Sequence, residues 1–198
     1  MPRAVRERQM LDAAVAVFAR RGYRATSMDE IAVAAGVSKP LVYLYLNSKD
    51  ELFTACVRRE AQALSAAVRA SVETGAAPDR QLWSGLLGFF RYTAEHPDGW
   101  SLLYGQARSG GAPSGDEVAA MRAELVDFVT ALIGSAARGA PCGPALPERE
   151  VRALALALVG AAESLAGSSP DGLETAATLM NFAWAGLGNL LEGSPWVP

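Results

Sequence analysis

Histidine, cysteine and lysine are scarce in this chain, and each shortage removes a class of chemistry. There is one histidine, His96, among 198 residues. A Ser-His-Asp triad would have to use it. It stands in the run His96-Pro97-Asp98-Gly99, which reads as a turn. The two cysteines, Cys56 and Cys142, make no C-x-x-C motif and are far apart in sequence. With no secretory leader at the start, they are expected to be free thiols in a reducing cytoplasm. No H-E-x-x-H, P-loop or cysteine cluster is present, and Gly186-Leu-Gly188 lacks the strand and third glycine of a dinucleotide site. No catalytic residue, metal or cofactor is therefore expected, and the chain is not read as an enzyme. The longest apolar run, Ala153–Ala162, is too short to span a membrane and is followed by Glu163.

What is present is a globular chain: 51% hydrophobic and 20% charged residues exclude disorder. The net charge of −3 is unevenly divided. Residues 1–60 carry ten Lys and Arg against seven Asp and Glu, a net of +3; residues 61–198 carry eight against fourteen, a net of −6. A basic first part joined to an acidic remainder suits a nucleic-acid module attached to a different kind of domain. Both lysines, Lys39 and Lys49, lie in the basic part.

The stretch Thr26–Phe53 carries the most local information. Ser27 stands three residues before Glu30, the spacing of a capping box. Ile31 and Ala35 fall on one helix face. Gly36 tolerates a left-handed turn. Ser38 can cap a second helix, with Pro40 in its first turn, where a missing N–H is harmless. Val42 can face inward, leaving Lys39, Leu41, Tyr43 and Tyr45 outward. Ser48 and Glu51 repeat the capping spacing and open a further helix. Helix, glycine turn, helix is the helix-turn-helix layout, whose second helix enters the DNA major groove. An ordinary helical hairpin has the same turn; the outward Lys, Leu, Tyr and Tyr favour the DNA reading.

Phe18, Gly22, Tyr23, Thr26, Ser27, Ile31, Ala32, Ala35, Gly36, Val37, Ser38, Tyr43, Lys49 and Leu52 match, in order and spacing, the DNA-binding domain of the TetR (tetracycline repressor) family of bacterial regulators, which this stretch resembles. Leu46 stands where that pattern has Phe, and Leu44 where it is often polar, which makes Leu44 an exposed apolar contact. The resemblance covers about the first quarter of the chain. It implies that Thr26, Tyr43 and Lys49 touch phosphate, and that Lys39, Pro40, Leu41 and Tyr45 approach bases or flanking phosphates. The division is physically sensible. Lysine and helix N-terminal groups neutralise phosphate without reading sequence, whereas Leu41 and Pro40 can meet a thymine methyl and Lys39 a guanine.

Elsewhere the pattern is helical and no strand or repeat is found. Leu11, Ala14, Val15 and Phe18 predict a first helix ending at Gly22. Later helices are expected over about 48–74, 80–95, 100–108, 116–138, 148–166 and 173–191. They are separated by Gly/Pro/Ser breaks at Gly75–Pro78, Ser109–Gly115, Gly139–Leu146 and Ser168–Gly172. The last two helices are apolar on more than one stripe and rich in Ala and Gly. Such helices must be covered on all sides. Packing the hairpin on its own copy would make a four-helix interface, as the resemblance also implies; Val151, Leu154, Leu158, Ala162, Ala176, Met180, Ala183 and Leu187 are its candidates. The alternative is that these helices are the monomer's own core. The aromatics of the middle, Trp83, Phe89, Phe90, Trp100, Tyr104 and Trp184, with Met121 and Phe128, are candidates to line an apolar effector cavity. Glu163 and Asn181 are its candidate polar anchors. For each aromatic, plain core packing is the competing reading; for Glu163 it is a surface or interface pair.

The expectation is an all-α chain of about nine helices in two domains: a three-helix helix-turn-helix domain over 1–47, and a helical effector-binding and dimerisation domain over 48–198, linked by the helix 48–74. It would act as a dimeric, ligand-responsive repressor, binding a near-palindromic operator and released by a small apolar or amphipathic effector. A regulator controlled by protein contact without a ligand, and a helical enzyme carrying a helix-turn-helix, are the rivals.

Overall fold

The computed structural model describes residues 2–109, 115–139, 146–166 and 171–191. Among them it is all helical, in chain order α1 (Arg3–Ala25), α2 (Met28–Ala34), α3 (Lys39–Tyr45), α4 (Lys49–Ser71), α5 (Pro78–Glu95), α6 (Pro97–Ser109), α7 (Gly115–Gly139), α8 (Glu148–Leu165) and α9 (Gly172–Leu191). Cys142 and most of the breaks expected after Ser109, Gly139 and Ser168 lie outside the described residues.

Packing divides the chain into one unit of Met1–Ala63 with His96–Met121 and a second of Leu64–Glu95 with Arg122–Pro198. The divisions fall inside α4, between α5 and α6, and inside α7, so α4 and α7 each contribute to both units. The division drawn from sequence at 47/48 follows the DNA-reading motif instead.

The first unit is built on α1. Met10, Ala14, Val17 and Phe18 are buried with Ile31 of α2, Val42 of α3 and Leu52, Phe53 and Val57 of α4. Phe18 meets Phe53 edge-on at 4.9 Å, and Tyr23 lies 4.9 Å from the same ring. Gly22 interrupts α1 with φ of 75°, as its composition demands, yet a further short turn carries the helix on to Ala25. Leu46 is buried where the family pattern has Phe. Pro97, expected in a turn, instead begins α6, which packs on α1. Proline is tolerated there because a first-turn N–H has no helical partner.

In the second unit α9 packs chiefly on α5 and also touches α8. The residues expected at a dimer face do not share one exposure in this packing. Val151, Leu158, Ala162, Ala176 and Leu187 are buried inside the unit; Leu154, Met180 and Ala183 are half-buried. Among the described residues, the outward apolar ones of the two helices include Leu156, Leu173 and Phe182, the last 79% exposed, with Ala153, Ala157, Ala185 and Gly186. Helices apolar on all sides give periodicity no preferred stripe, so the sequence could not say which face turns inward.

Candidate functional site

The helix-turn-helix is assembled by local bonds. Ser27 Oγ accepts from the Glu30 N–H at 3.2 Å, and Glu30 Oε2 accepts from the Ser27 N–H at 3.0 Å, completing the capping box of α2. Those bonds, led by the Ser27 N–H, hold the Glu30 carboxyl below its ordinary pKa. At the other end Gly36 takes φ of 65°. Its N–H bonds the Val33 carbonyl at 3.1 Å, and the Val37 N–H bonds the Ala32 carbonyl at 3.0 Å. This is the paired closure of a Schellman turn, and it aims α3 away from α2. Val42 anchors α3 to the core, leaving Pro40, Tyr43 and Leu44 exposed and Leu41 and Tyr45 half-exposed. The Arg3 guanidinium lies 5.2 Å from the centre of the Tyr45 ring.

The junction of α1 and α4 is polar. Tyr23 donates to the Asp50 carboxylate, and this hydrogen bond, followed by burial, pushes the Tyr23 pKa up to about 12. Lys49 Nζ lies 4.5 Å above the same ring and donates to the Arg24 carbonyl at 3.3 Å. Ser48 caps α4 through the Glu51 N–H at 3.1 Å, but the Glu51 carboxylate accepts from the Asn47 side chain at 2.9 Å.

Of the residues expected at DNA, Lys39, Pro40, Leu41, Tyr43, Tyr45 and Lys49 therefore share the accessible surface of α3 and the start of α4. Thr26 does not. It is buried and its hydroxyl donates to the Gly22 carbonyl at 2.8 Å. That bond closes the turn before α2. Outside that set the structure adds Leu44, 73% exposed, which its departure from the family pattern already marked. It also adds Asp29, whose carboxylate takes the Lys39 ammonium at 2.9 Å.

In the second unit α4, α5, α7 and α8 line an apolar cavity of about 50 Å³, whose wall includes Val68, Leu86, Phe89, Phe128, Val159 and Ala162. Of the expected ligand residues it brings together only Phe89 and Phe128. Trp100, Tyr104 and Met121 belong to the first unit, where Trp100 stacks on Tyr104 at 5.3 Å. Phe90 is buried with its ring 5.2 Å from that of Phe89, and neither it nor Trp83 nor Trp184 lines the cavity. Glu163 is no solitary anchor: both its oxygens accept from Arg122 Nε at 3.0 Å. Most of the wall is Leu, Val, Ala and Gly, including Leu158 and Ala162, which were expected at the dimer face. A larger recess of about 480 Å³ lies between the end of α7 and the start of α8, lined partly by Arg138 and Glu148. Its lining residues stand on either side of 140–145 in sequence, which lie outside the described residues, so the apolar cavity is the better-defined candidate.

A helix-turn-helix whose second helix is anchored by one buried residue and otherwise open defines a DNA-binding transcriptional regulator. The family models for bacterial regulatory proteins of the tetR family and for a tetracyclin repressor-like C-terminal domain match residues 10–56 and 78–186. The chain belongs to the TetR family of transcriptional regulators, whose members are not enzymes. The transcriptional activator FasR of Mycolicibacterium smegmatis is 38% identical over 104 residues, 52% of this chain and 48% of that protein. The repressor SCO4008 of Streptomyces coelicolor is 35% identical over 52% of this chain and 50% of its own length. The chain thus aligns with about half the length of these relatives, which include both an activator and a repressor. Among solved structures, a TetR-like regulator from Rhodococcus sp. RHA1 superposes with a TM-score of 0.80 at 39% identity, over 95% of this chain and 98% of that one. FadR of Bacillus subtilis, solved with stearoyl-CoA, has the same fold at 15% identity, with a TM-score of 0.74 over 89% of this chain and 96% of its own.

Proposed function

We propose that this regulator binds a near-palindromic operator as a dimer and that an apolar or amphipathic effector, entering the α4–α5–α7–α8 cavity, releases it. Two recognition helices related by a two-fold axis contact half-sites about one DNA turn apart, ~34–36 Å. The outward Leu156 and Phe182 are the candidates for the centre of the dimer contact. Thr26 supports the DNA interface from within, holding the turn before α2, while Lys49 and Tyr43 meet phosphate and Lys39, Pro40, Leu41 and Tyr45 face the groove.

The observation that carries the effector reading is the cavity's all-apolar wall combined with its size. At about 50 Å³ it lies far below the ~300–1,000 Å³ of ligand sites. An effector therefore fits only where the four helices have moved apart. It then binds one state better than the other, which is the condition for shifting an equilibrium. The coupling is reciprocal, so operator weakens effector by the same factor. The same small volume favours a second reading, control by protein contact without a ligand.

The test is a panel of acyl-CoA thioesters, free fatty acids and aromatic amphiphiles, titrated into the protein–operator complex and followed by anisotropy and thermal shift. FadR's stearoyl-CoA makes an acyl chain the first probe. Release together with a raised Tm of the free protein is expected from one chemical class. Unchanged operator affinity and Tm across the panel favour the protein-contact reading.

A further inference from the structure

Asp29 and Lys39 face each other across the α2–α3 turn, with Nζ to Oδ2 at 2.9 Å. Both side chains are about half exposed or more, and an exposed pair of this kind adds little to stability. Its position is more informative than its strength. Lys39 is the first residue of α3, a helix with no acidic residue in its first turn and no side-chain cap. Asp29 supplies, from the neighbouring helix, the negative charge that this end lacks. Asp29 and Val33 stand one turn apart on α2, as Lys39 and Tyr43 do on α3, and Val33 and Tyr43 are exposed like the pair itself. The ion pair thus ties together the open edges of both helices of the motif.

We propose that Asp29 is a positioning residue for sequence recognition: it tethers the Lys39 ammonium at the α2–α3 edge and directs it to base edges instead of phosphate. This rests on the reading of α3 as the groove helix. A free lysine beside a duplex takes a phosphate and releases a counterion, whatever the sequence. A carboxylate at 2.9 Å opposes that, because it repels phosphate and already holds one of the three ammonium protons. The other two protons can go to guanine O6 and N7, uncharged acceptors that ask no departure from Asp29. The tether therefore weakens binding to arbitrary DNA more than binding to the operator, and its product is discrimination.

The experiment uses the full chain, a duplex of scrambled sequence, and an operator duplex enriched by the wild type from a random pool. Affinities of wild type, Asp29→Asn, Lys39→Gln and the double variant are measured over a salt series. Asp29→Asn is expected to bind scrambled duplex about 3- to 10-fold tighter, with a log–log salt slope steeper by roughly 0.9 per subunit, one further phosphate contact. Its operator-to-scrambled ratio falls by a similar factor, and in the Lys39→Gln background the substitution changes neither quantity. Lys39→Gln alone is expected to weaken the operator complex. If it does so while Asp29→Asn leaves both slope and ratio at wild-type values, Asp29 is only structural and the proposal fails. If Lys39→Gln leaves operator affinity untouched, the placement of Lys39 in the groove fails first. Should Asp29→Asn melt early, the same two readouts on Asp29→Ser decide, since a stability role alone does not move a salt slope.

Discussion

Glu60 occupies the space a side chain on residue 99 would need: a Cβ on Gly99 would lie 2.3 Å from Glu60 Oε2. Glu60 is buried, and its other oxygen takes Nε and Nη2 of Arg59 at 3.0 and 2.8 Å, while Arg59 Nη1 reaches Asp12 at 2.7 Å. The carboxylate thus lies against the start of α6, and its guanidinium partner joins α4 to α1. Gly99→Ala must displace that carboxylate and is expected to destabilise the chain by about 1–3 kcal/mol. Gly105→Ala, on the same helix with open space around it, is the matched control. It is expected to be neutral or to stabilise by up to ~1 kcal/mol. Denaturant unfolding of the two variants checks the contrast.

The capping box should be visible in pH dependence. Ser27→Ala removes the oxygen that takes the Glu30 N–H and is expected to cost about 0.5–2 kcal/mol. Glu30 has its folded pKa below the ordinary 4.5. Its contribution is therefore fully present above that value and is lost as pH falls through the folded pKa. Wild type and Glu30→Gln should differ in stability near neutrality and converge at acid pH, as thermal melts along a pH series would show. A difference that persists unchanged into strong acid would assign the effect to side-chain shape instead of charge.

Cys56 should be inert. Its thiol is fully buried against the Leu11 carbonyl, and burial pushes its pKa up to about 12. Since the thiolate is the nucleophile, iodoacetamide at mildly alkaline pH is expected to leave Cys56 unlabelled in the native protein and to label it in denaturant. Peptide mapping by mass spectrometry distinguishes it from Cys142.

Filling the cavity should separate the two activities. Ala162 is buried in the apolar wall. Ala162→Leu adds roughly the volume the cavity has and is expected to keep operator affinity within about threefold while weakening effector-driven release at least tenfold. Overpacking is expected to cost no more than about 1–3 kcal/mol. Release by effector unchanged in this variant would place the effector elsewhere.

The sequence was most legible where a local signal names its own bond. Ser27 and Glu30 specify a capping box, Gly36 a left-handed turn and Val42 the single inward residue of α3, and the structure has all three. Pro97 misled because proline marks both turns and helix starts. Which aromatics share a cavity depends on how the helices cross, and periodicity does not carry that. Phe89 and Phe128 therefore met, while Trp100 and Tyr104 stacked in another unit. The small residues of α8 and α9 announced close packing but not its partner, so Leu158 and Ala162 turned inward and Leu156 and Phe182 outward.

DNase footprinting of the purified full chain on the DNA upstream of its own gene, repeated over a salt series, tests the central claim most directly. Expected is a protected near-palindrome with half-sites about one helical turn apart and an affinity falling steeply as salt rises, both abolished by joint substitution of Tyr43 and Lys49 with Ala. No protection there, nor on any fragment selected from genomic DNA, would contradict the regulator reading of the α2–α3 motif.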